Sequence, residues 1–240
     1  MDSSELYLRV RQKEGRLYSD DVTARLPDIS SDHPLRNEWL ARADSLSRLL
    51  RYLRQLPKIS SILELGCGNG WLSHRIGLLS GVRIWGLDRI GPELTQAARL
   101  FNSANAAFLG ADIFVPPFPP ESFDIILLAS VIQYFPDLPT LIRSLSPLLT
   151  PRGEIHLLDS PLYAEAQLAS ARTRTHDHYA TLGFPEMIDH YFHHAASSLQ
   201  QFAPRWLYRP YALRARLVRH LGHVISPFPW LSISKTNIVF

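Results

Sequence analysis

One cysteine, two methionines and three lysines (Lys13, Lys58, Lys235) are all that a chain of 240 residues holds of these types. A single thiol, Cys67, excludes an internal disulfide and fits a reducing compartment. No stretch approaches the ~18 consecutive apolar residues that a membrane span requires. The start, Met1-Asp2-Ser3-Ser4-Glu5, has neither the basic nor the apolar segment of a secretory signal. These absences predict a cytoplasmic protein with no membrane partner. Lysine is scarce among 25 basic residues, so arginine carries most of the positive charge, yet the net charge is only +3. Arginine suits two-pronged contact with carboxylate or phosphate. A nucleic-acid binder needs a concentrated basic face, and a nucleic-acid partner is not expected.

With 46% hydrophobic residues the chain can bury a real core. Residues 1–57 read as a helical N-terminal extension packed on a main domain of residues 58–240. Within it, residues 35–56 carry Trp39, Leu40, Ala43, Leu46, Leu49, Leu50 and Leu53 at helical spacing. Arg36, Arg42, Arg48, Arg51 and Arg54 fall largely between them, and Pro57 ends the helix. After that, short apolar runs alternate with helices, the pattern of an α/β, Rossmann-like, doubly wound and mostly parallel sheet. Strands are expected at 61–65, 82–87, 106–109, 123–128 and 154–158, with helices at 70–79, 91–102 and 138–149. The rhythm breaks after Ser160. Residues 161–202 are expected to form a helical insertion after strand five that caps an acceptor pocket. Another helix is expected at 211–221, and 206–208 and 230–234 are candidate last strands.

The strand Ile62-Leu63-Glu64-Leu65 runs into Gly66-Cys67-Gly68-Asn69-Gly70 and then a helix. Such a turn offers free N–H groups and a helix N-terminus to a ligand, and glycine lets the ligand approach bare backbone. The second strand ends in Gly86-Leu87-Asp88, where an acid can accept both ribose hydroxyls of an adenosine. A dinucleotide fingerprint would need glycine at position 71, which is Trp71.

The G-x-G-x-G spacing with Glu64 before it resembles motif I of the class I S-adenosylmethionine-dependent methyltransferases. The resemblance continues through Asp88, Ala111-Asp112-Ile113 and Phe123-Asp124-Ile125-Ile126. The run Ser130-Val131-Ile132-Gln133-Tyr134-Phe135-Pro136 resembles the strand-four segment of small-molecule methyltransferases. Leu149-Thr150-Pro151-Arg152-Gly153-Glu154 resembles their turn into strand five, with Arg152 in place of a glycine. The resemblance implies a seven-stranded sheet with the last strand antiparallel, and S-adenosyl-L-methionine as cofactor. It implies that Glu64, Gly66 and Gly68 hold the aminocarboxypropyl end and that Asp88 takes the ribose. Arg89 or Ile90 would flank the adenine, Asp112 and Ile113 would contact its edge, and Ala129 and Ser130 would line the floor near the methyl group. Cys67, given no chemistry, completes the cofactor-binding set with Asn69, Gly70 and Tyr134. Asp124 is read as structural.

The expected activity is methyl transfer to a small-molecule acceptor. The alternatives are an RNA or protein methyltransferase, or a noncatalytic cofactor-binding partner protein. The proline-rich motif of many nucleic-acid amino-methyltransferases is absent, since Ala129-Ser130-Val131-Ile132 stands at its place. Positioning can supply much of the catalysis, so a general base is needed only for a protonated acceptor. Candidates are His176, His178, Tyr179 and His194, with Tyr163 among the groups able to bind acceptor. His190, His193 and His194 would share a face if that segment is helical, but with only Asp189 nearby no metal site is expected. Arg205, Arg209, Arg214, Arg216 and Arg219 read either as a solvated helix face or as a handle for an acidic or phosphorylated acceptor. Tyr18 and Trp39 are open between capping the cofactor and core packing.

Overall fold

The computed structural model describes residues 3–56 and 61–238. Strands β1 (Ser61–Leu65), β2 (Arg83–Asp88), β3 (Ala106–Gly110), β4 (Phe123–Ala129) and β5 (Leu149–Leu158) are parallel. With β6 (Arg205–Tyr208) and β7 (Trp230–Ser234) they make one seven-stranded sheet of order β3-β2-β1-β4-β5-β7-β6. β7 runs antiparallel to both its neighbours, as the resemblance implies. The helices are α1 (Ser3–Lys13), α2 (Asp20–Arg25), α3 (Arg36–Gln55), α4 (Trp71–Gly77), α5 (Pro92–Phe101), α6 (Leu138–Leu145), α7 (Leu168–Leu182) and α8 (Leu213–His220). Pro57 and the 57/58 boundary lie outside the described residues.

The central strands are nearly continuous apolar runs because helices cover both faces of a parallel sheet. Their pleat sends Ile62, Ile125 and Leu127 to one face, against Trp39, Leu46, Leu49 and Leu53 of α3 and Leu72 and Ile76 of α4. Leu63, Leu65, Ile126 and Leu128 point to the other, against Leu138, Leu141, Ile142 and Leu145 of α6. That helix starts on Asp137, whose carboxylate accepts the Thr140 N–H at 3.1 Å. Trp39 meets Trp71 edge-on at 5.3 Å and donates its Nε1–H to the Tyr18 hydroxyl at 2.9 Å. Tyr18 and Trp39 thus belong to the packing of the N-terminal region, and Trp71, where a dinucleotide turn would carry glycine, anchors α3.

A polar network closes the far side. Buried His156 on β5 accepts from Trp230 Nε1–H at 3.1 Å, which leaves its Nε2–H to donate to Glu154 at 3.0 Å. Tyr52 of α3 donates to the same carboxylate at 2.7 Å, and Arg205 of β6 reaches it at 3.3 Å. The buried imidazole and the Glu154 carboxylate together tie α3, β5, β6 and β7, and every member is satisfied.

The expected helicity of 161–202 is only partly correct. α7 is the one α-helix of this span, ended by Gly183 in the left-handed conformation (φ 87°). Pro185–His190 and Ala196–Phe202 are short 3-10 turns. Between them the backbone is irregular: Phe192 N–H donates to Gln133 O at 2.7 Å, and Ala195 bridges to Tyr163. His190, His193 and His194 therefore share no helix face, because long-range backbone bonds claim this stretch. The insertion packs at the carboxyl end of the sheet, where Leu6 and Val10 of α1 meet Tyr179 and Met187.

Replacing Trp39 by Ala should destabilise the fold by about 3–5 kcal/mol, as for other buried large aromatics. Denaturant melts would check this, and a loss below about 1 kcal/mol would show that α3 does not depend on the Trp39–Trp71 contact.

Candidate functional site

The strand order reverses direction between β1 and β4, and open α/β sheets bind ligands in the crevice outside such a point. β1 ends there in the glycine turn, where Gly66, Gly68 and Gly70 all have positive φ (73°, 52° and 75°). A Cβ on Gly66 would lie 2.3 Å from Val131 Cγ2, and one on Gly70 would lie 2.6 Å from the Phe108 ring. Those two glycines are required by packing as well as by conformation. Gly68 differs, because its Cβ would meet only a Glu93 carboxylate oxygen at 3.8 Å. Bare backbone is approachable at that point.

Asp88 closes one side. Its two oxygens accept the Gly68 N–H at 2.6 Å and the Arg89 N–H at 2.7 Å. Each oxygen keeps a lone pair for a further donor. Burial pushes its carboxyl above the usual range, although both N–H bonds act in the opposite direction. Ile90, 84% exposed, and exposed Phe114 leave apolar surface beside Asp88, with Ile113 buried beneath. Asp112 is exposed and accepts the Phe114 N–H at 2.9 Å, the geometry of a turn-forming aspartate.

Glu64 lies at the floor. It is buried and accepts from Ser73 Oγ at 2.5 Å, and burial pushes its carboxyl up to about 8. Asn69 is buried in the turn, with Oδ1 at a long 3.5 Å from the Trp71 N–H. Cys67 is buried too, and burial pushes its thiol well up, which makes it inert.

Ala129 ends β4, and Ser130 follows with φ 55°, a conformation that costs a non-glycine residue energy and is held by its surroundings. Ser130 Oγ donates to Asp159 O at 2.9 Å and accepts from Arg42 Nη1 at 3.3 Å. Arg42, which the sequence shows only as one of several arginines between the apolar positions of a helix, is a site residue here. It reaches the site from α3, pinned by Glu38 at 3.0 Å. Glu38 also accepts from Arg16 at 2.6 Å, and despite its burial the two guanidinium groups hold it down at about 2. An acid four residues before an arginine was the available signal.

The cap side is lined with phenols. Tyr134 meets Tyr7 of α1 edge-on at 5.4 Å and Tyr191 at 6.2 Å, and Tyr191 lies 6.0 Å from Tyr179. Burial raises the pKa of all four, so they are neutral donors. Arg11, paired with Glu93 at 2.8 Å, adjoins Tyr7, and its Nε is buried without a hydrogen-bond partner. Among the four expected acid–base candidates, only Tyr179 joins this cluster. His176 and His178 are exposed and pair with Asp177 and Glu14. His194 is buried with Nε2 on Ile132 O at 2.9 Å, an anchor of the cap on the strand-four segment. His193 lies nearer the phenols, 5.2 Å from the Tyr191 ring and bonded to Thr175 at 2.8 Å. Burial, with Arg172 next, lowers its pKa and keeps it neutral. No group of three or more His, Cys, Asp or Glu able to hold a metal occurs among the described residues.

Residues 63–157 match the family model described as Methyltransferase domain. The biotin biosynthesis bifunctional protein of Bordetella avium is 29% identical over 138 residues, 57% of this chain and 30% of that protein. The ubiquinone biosynthesis O-methyltransferase of Xanthomonas euvesicatoria is 24% identical over 184 residues, 69% of this chain and 76% of that enzyme. Among solved structures, a protein from Galdieria sulphuraria with a proposed sarcosine dimethylglycine methyltransferase activity aligns with a TM-score of 0.61 at 17% identity, over 98% of both chains. A geranyl diphosphate methyltransferase in complex with S-adenosylmethionine aligns at 0.57 and 11% identity, over 85% of this chain and 91% of that one. The sheet order, the turn at its switch point and the match over 63–157 agree: residues 63–157 carry a methyltransferase domain of the class I, S-adenosylmethionine-dependent kind.

Proposed function

We propose that the enzyme methylates a small-molecule acceptor held between the strand-four segment, α1 and the cap. The observation that carries this is the phenol-lined cluster of Tyr7, Tyr134, Tyr179 and Tyr191 beside the glycine turn. The relatives named for ubiquinone and biotin biosynthesis support a small acceptor. The orphaned Nε–H of Arg11 adds a donor suited to an acidic group on it.

Bound S-adenosylmethionine supplies a methyl group activated on a sulfonium centre. In this reading Gly68 admits its aminocarboxypropyl end, Glu64 faces the ammonium and Arg42 the carboxylate. Asp88 accepts from the ribose hydroxyls, and Ile90, Ile113 and Phe114 cover the adenine. Ala129 and Ser130 line the floor near the methyl group, and Tyr134 stands between cofactor and acceptor. The neutral phenols orient the acceptor, and neutral His193 takes a proton where the acceptor carries one. Arg89, with its side chain exposed, contributes its backbone N–H by fixing Asp88.

The direct test is release of S-adenosylhomocysteine on adding small-molecule acceptors. Asp88→Ala should weaken S-adenosylmethionine binding by about 1–3 kcal/mol, the worth of hydrogen bonds to a charged group. Unchanged affinity in a folded variant would remove Asp88 from the ribose.

Glu64 gives a pH signature. Its carboxyl is raised to about 8 in the free fold from an ordinary 4.5. The fold therefore holds a proton that the unfolded chain has released across that window. The stability this proton confers is complete below about 4.5 and is lost as pH rises towards about 8. Glu64→Gln should flatten that decline in thermal melts. Cofactor binding by the wild type below about pH 8 should release a proton as the ammonium meets Glu64. Binding heats that do not vary with buffer ionisation enthalpy would exclude that contact.

A further inference from the structure

β5 and β6 both flank antiparallel β7, so β6 points the same way as β5. The segment 209–229 therefore leaves the sheet at the carboxyl end, the end that carries the site. It comes back against the site, where Ser226 Oγ donates to Asp159 at 3.1 Å and Ser226 N–H donates to Asp44 at 3.0 Å.

Within this segment α8 inverts the usual amphipathic arrangement. Ala215 is its buried residue, whereas Leu213, Leu217 and Leu221 are 83%, 60% and 67% exposed. At 3.6 residues per turn these leucines fall on one stripe, on the pole opposite Ala215, with Arg214 on one side of the stripe and Arg216 on the other. Tyr211, two residues before the helix, is also exposed. Along the segment itself the charge has one sign: no Asp or Glu follows Asp189 in the chain, while Arg209, Arg214, Arg216 and Arg219 lie on or beside α8.

We propose that α8 and its flanks dock on an anionic lipid bilayer, with Leu213, Leu217 and Leu221 entering the headgroup–acyl boundary and the arginines meeting lipid phosphates. A surface-lying helix has this combination of a cationic polar face and an apolar stripe. The charge decides between occupants. A second copy would bring like charge onto like charge, and a nucleic acid would satisfy the arginines but leave the leucines in water. The sequence predicts no membrane partner because no run can span a bilayer, and no described helix is long and apolar enough to cross one. An interfacial helix needs neither. Docking through this surface holds the site's end of the sheet at the bilayer.

Flotation of the full chain with lipid vesicles tests this without any methyl acceptor, so its outcome is separate from that of the transfer reaction. Vesicles of phosphatidylcholine mixed with phosphatidylglycerol should retain the protein, with binding that weakens as salt rises, and pure phosphatidylcholine should not. Leu213→Gln with Leu217→Gln should reduce partitioning at least about tenfold. Arg214→Gln with Arg216→Gln should reduce it roughly 25-fold, about fivefold for each charge. Both double variants change exposed side chains and should keep the wild-type melting temperature and cofactor affinity. Failure to bind the anionic vesicles would overturn the proposal, as would equal binding by the leucine variant. Leucine-dependent dimerisation or RNA binding without vesicle binding would overturn it too.

Discussion

Three carboxylates stand where the strands end, withdrawn from water: Glu64 on β1, Asp88 on β2 and Asp159 after β5. Burying an acid without compensation is expensive, and the group tends to take up a proton instead. Arg42 is the cation that opposes this for Glu64 and Asp159. It does not come from the sheet but from α3, where Glu38 fixes its guanidinium and is itself fixed by Arg16. The charge balance of the site thus depends on how α3 is seated, and the seat is the Trp39–Trp71 contact at the start of α4. The N-terminal helices are part of the site's electrostatics, although they form no part of the sheet.

That dependence explains which features the sequence made legible. β1 was expected at 61–65 and occurs there, because a buried parallel strand is written as a local apolar run. The glycine turn and Asp88 were legible for the same reason: positive φ and close approach restrict residue type at the position itself. Arg42 was not, since it sits among Arg36, Arg48, Arg51 and Arg54, and the acid four residues before it is a mark that Arg48 shares through Asp44. Its position beside Ser130 is set by tertiary packing. The histidines failed differently. Their spacing suits a helix, but Gly183 stops α7, and the backbone of Tyr191–Ala195 bonds instead to Gln133 and Tyr163. Long-range backbone bonds leave no trace in local periodicity.

The two halves of the site also rest on unequal foundations. The glycine turn is built on central strands whose side chains fill the two large cores. The phenol cluster is built on α1, α7 and the turns after it, joined through a small core of Leu6, Val10, Tyr179 and Met187. Local opening free energy follows buried apolar contact, so the cap and α1 open at lower cost than the turn. Their docking is shared: Leu6 and Val10 of α1 are buried in the same small core as Tyr179 and Met187. Arg11 strengthens the closed arrangement through Glu93, the residue whose carboxylate overlooks Gly68. Under the proposed function, ordering of α1 and the cap would cover the acceptor and the cofactor turn together and exclude water from both reactants. This separation of duties also explains why acceptor chemistry is the least legible part of the sequence. A rigid turn constrains residue types, whereas a small core of tyrosines and aliphatics needs only to be apolar and to present hydroxyls, a condition that many sequences meet.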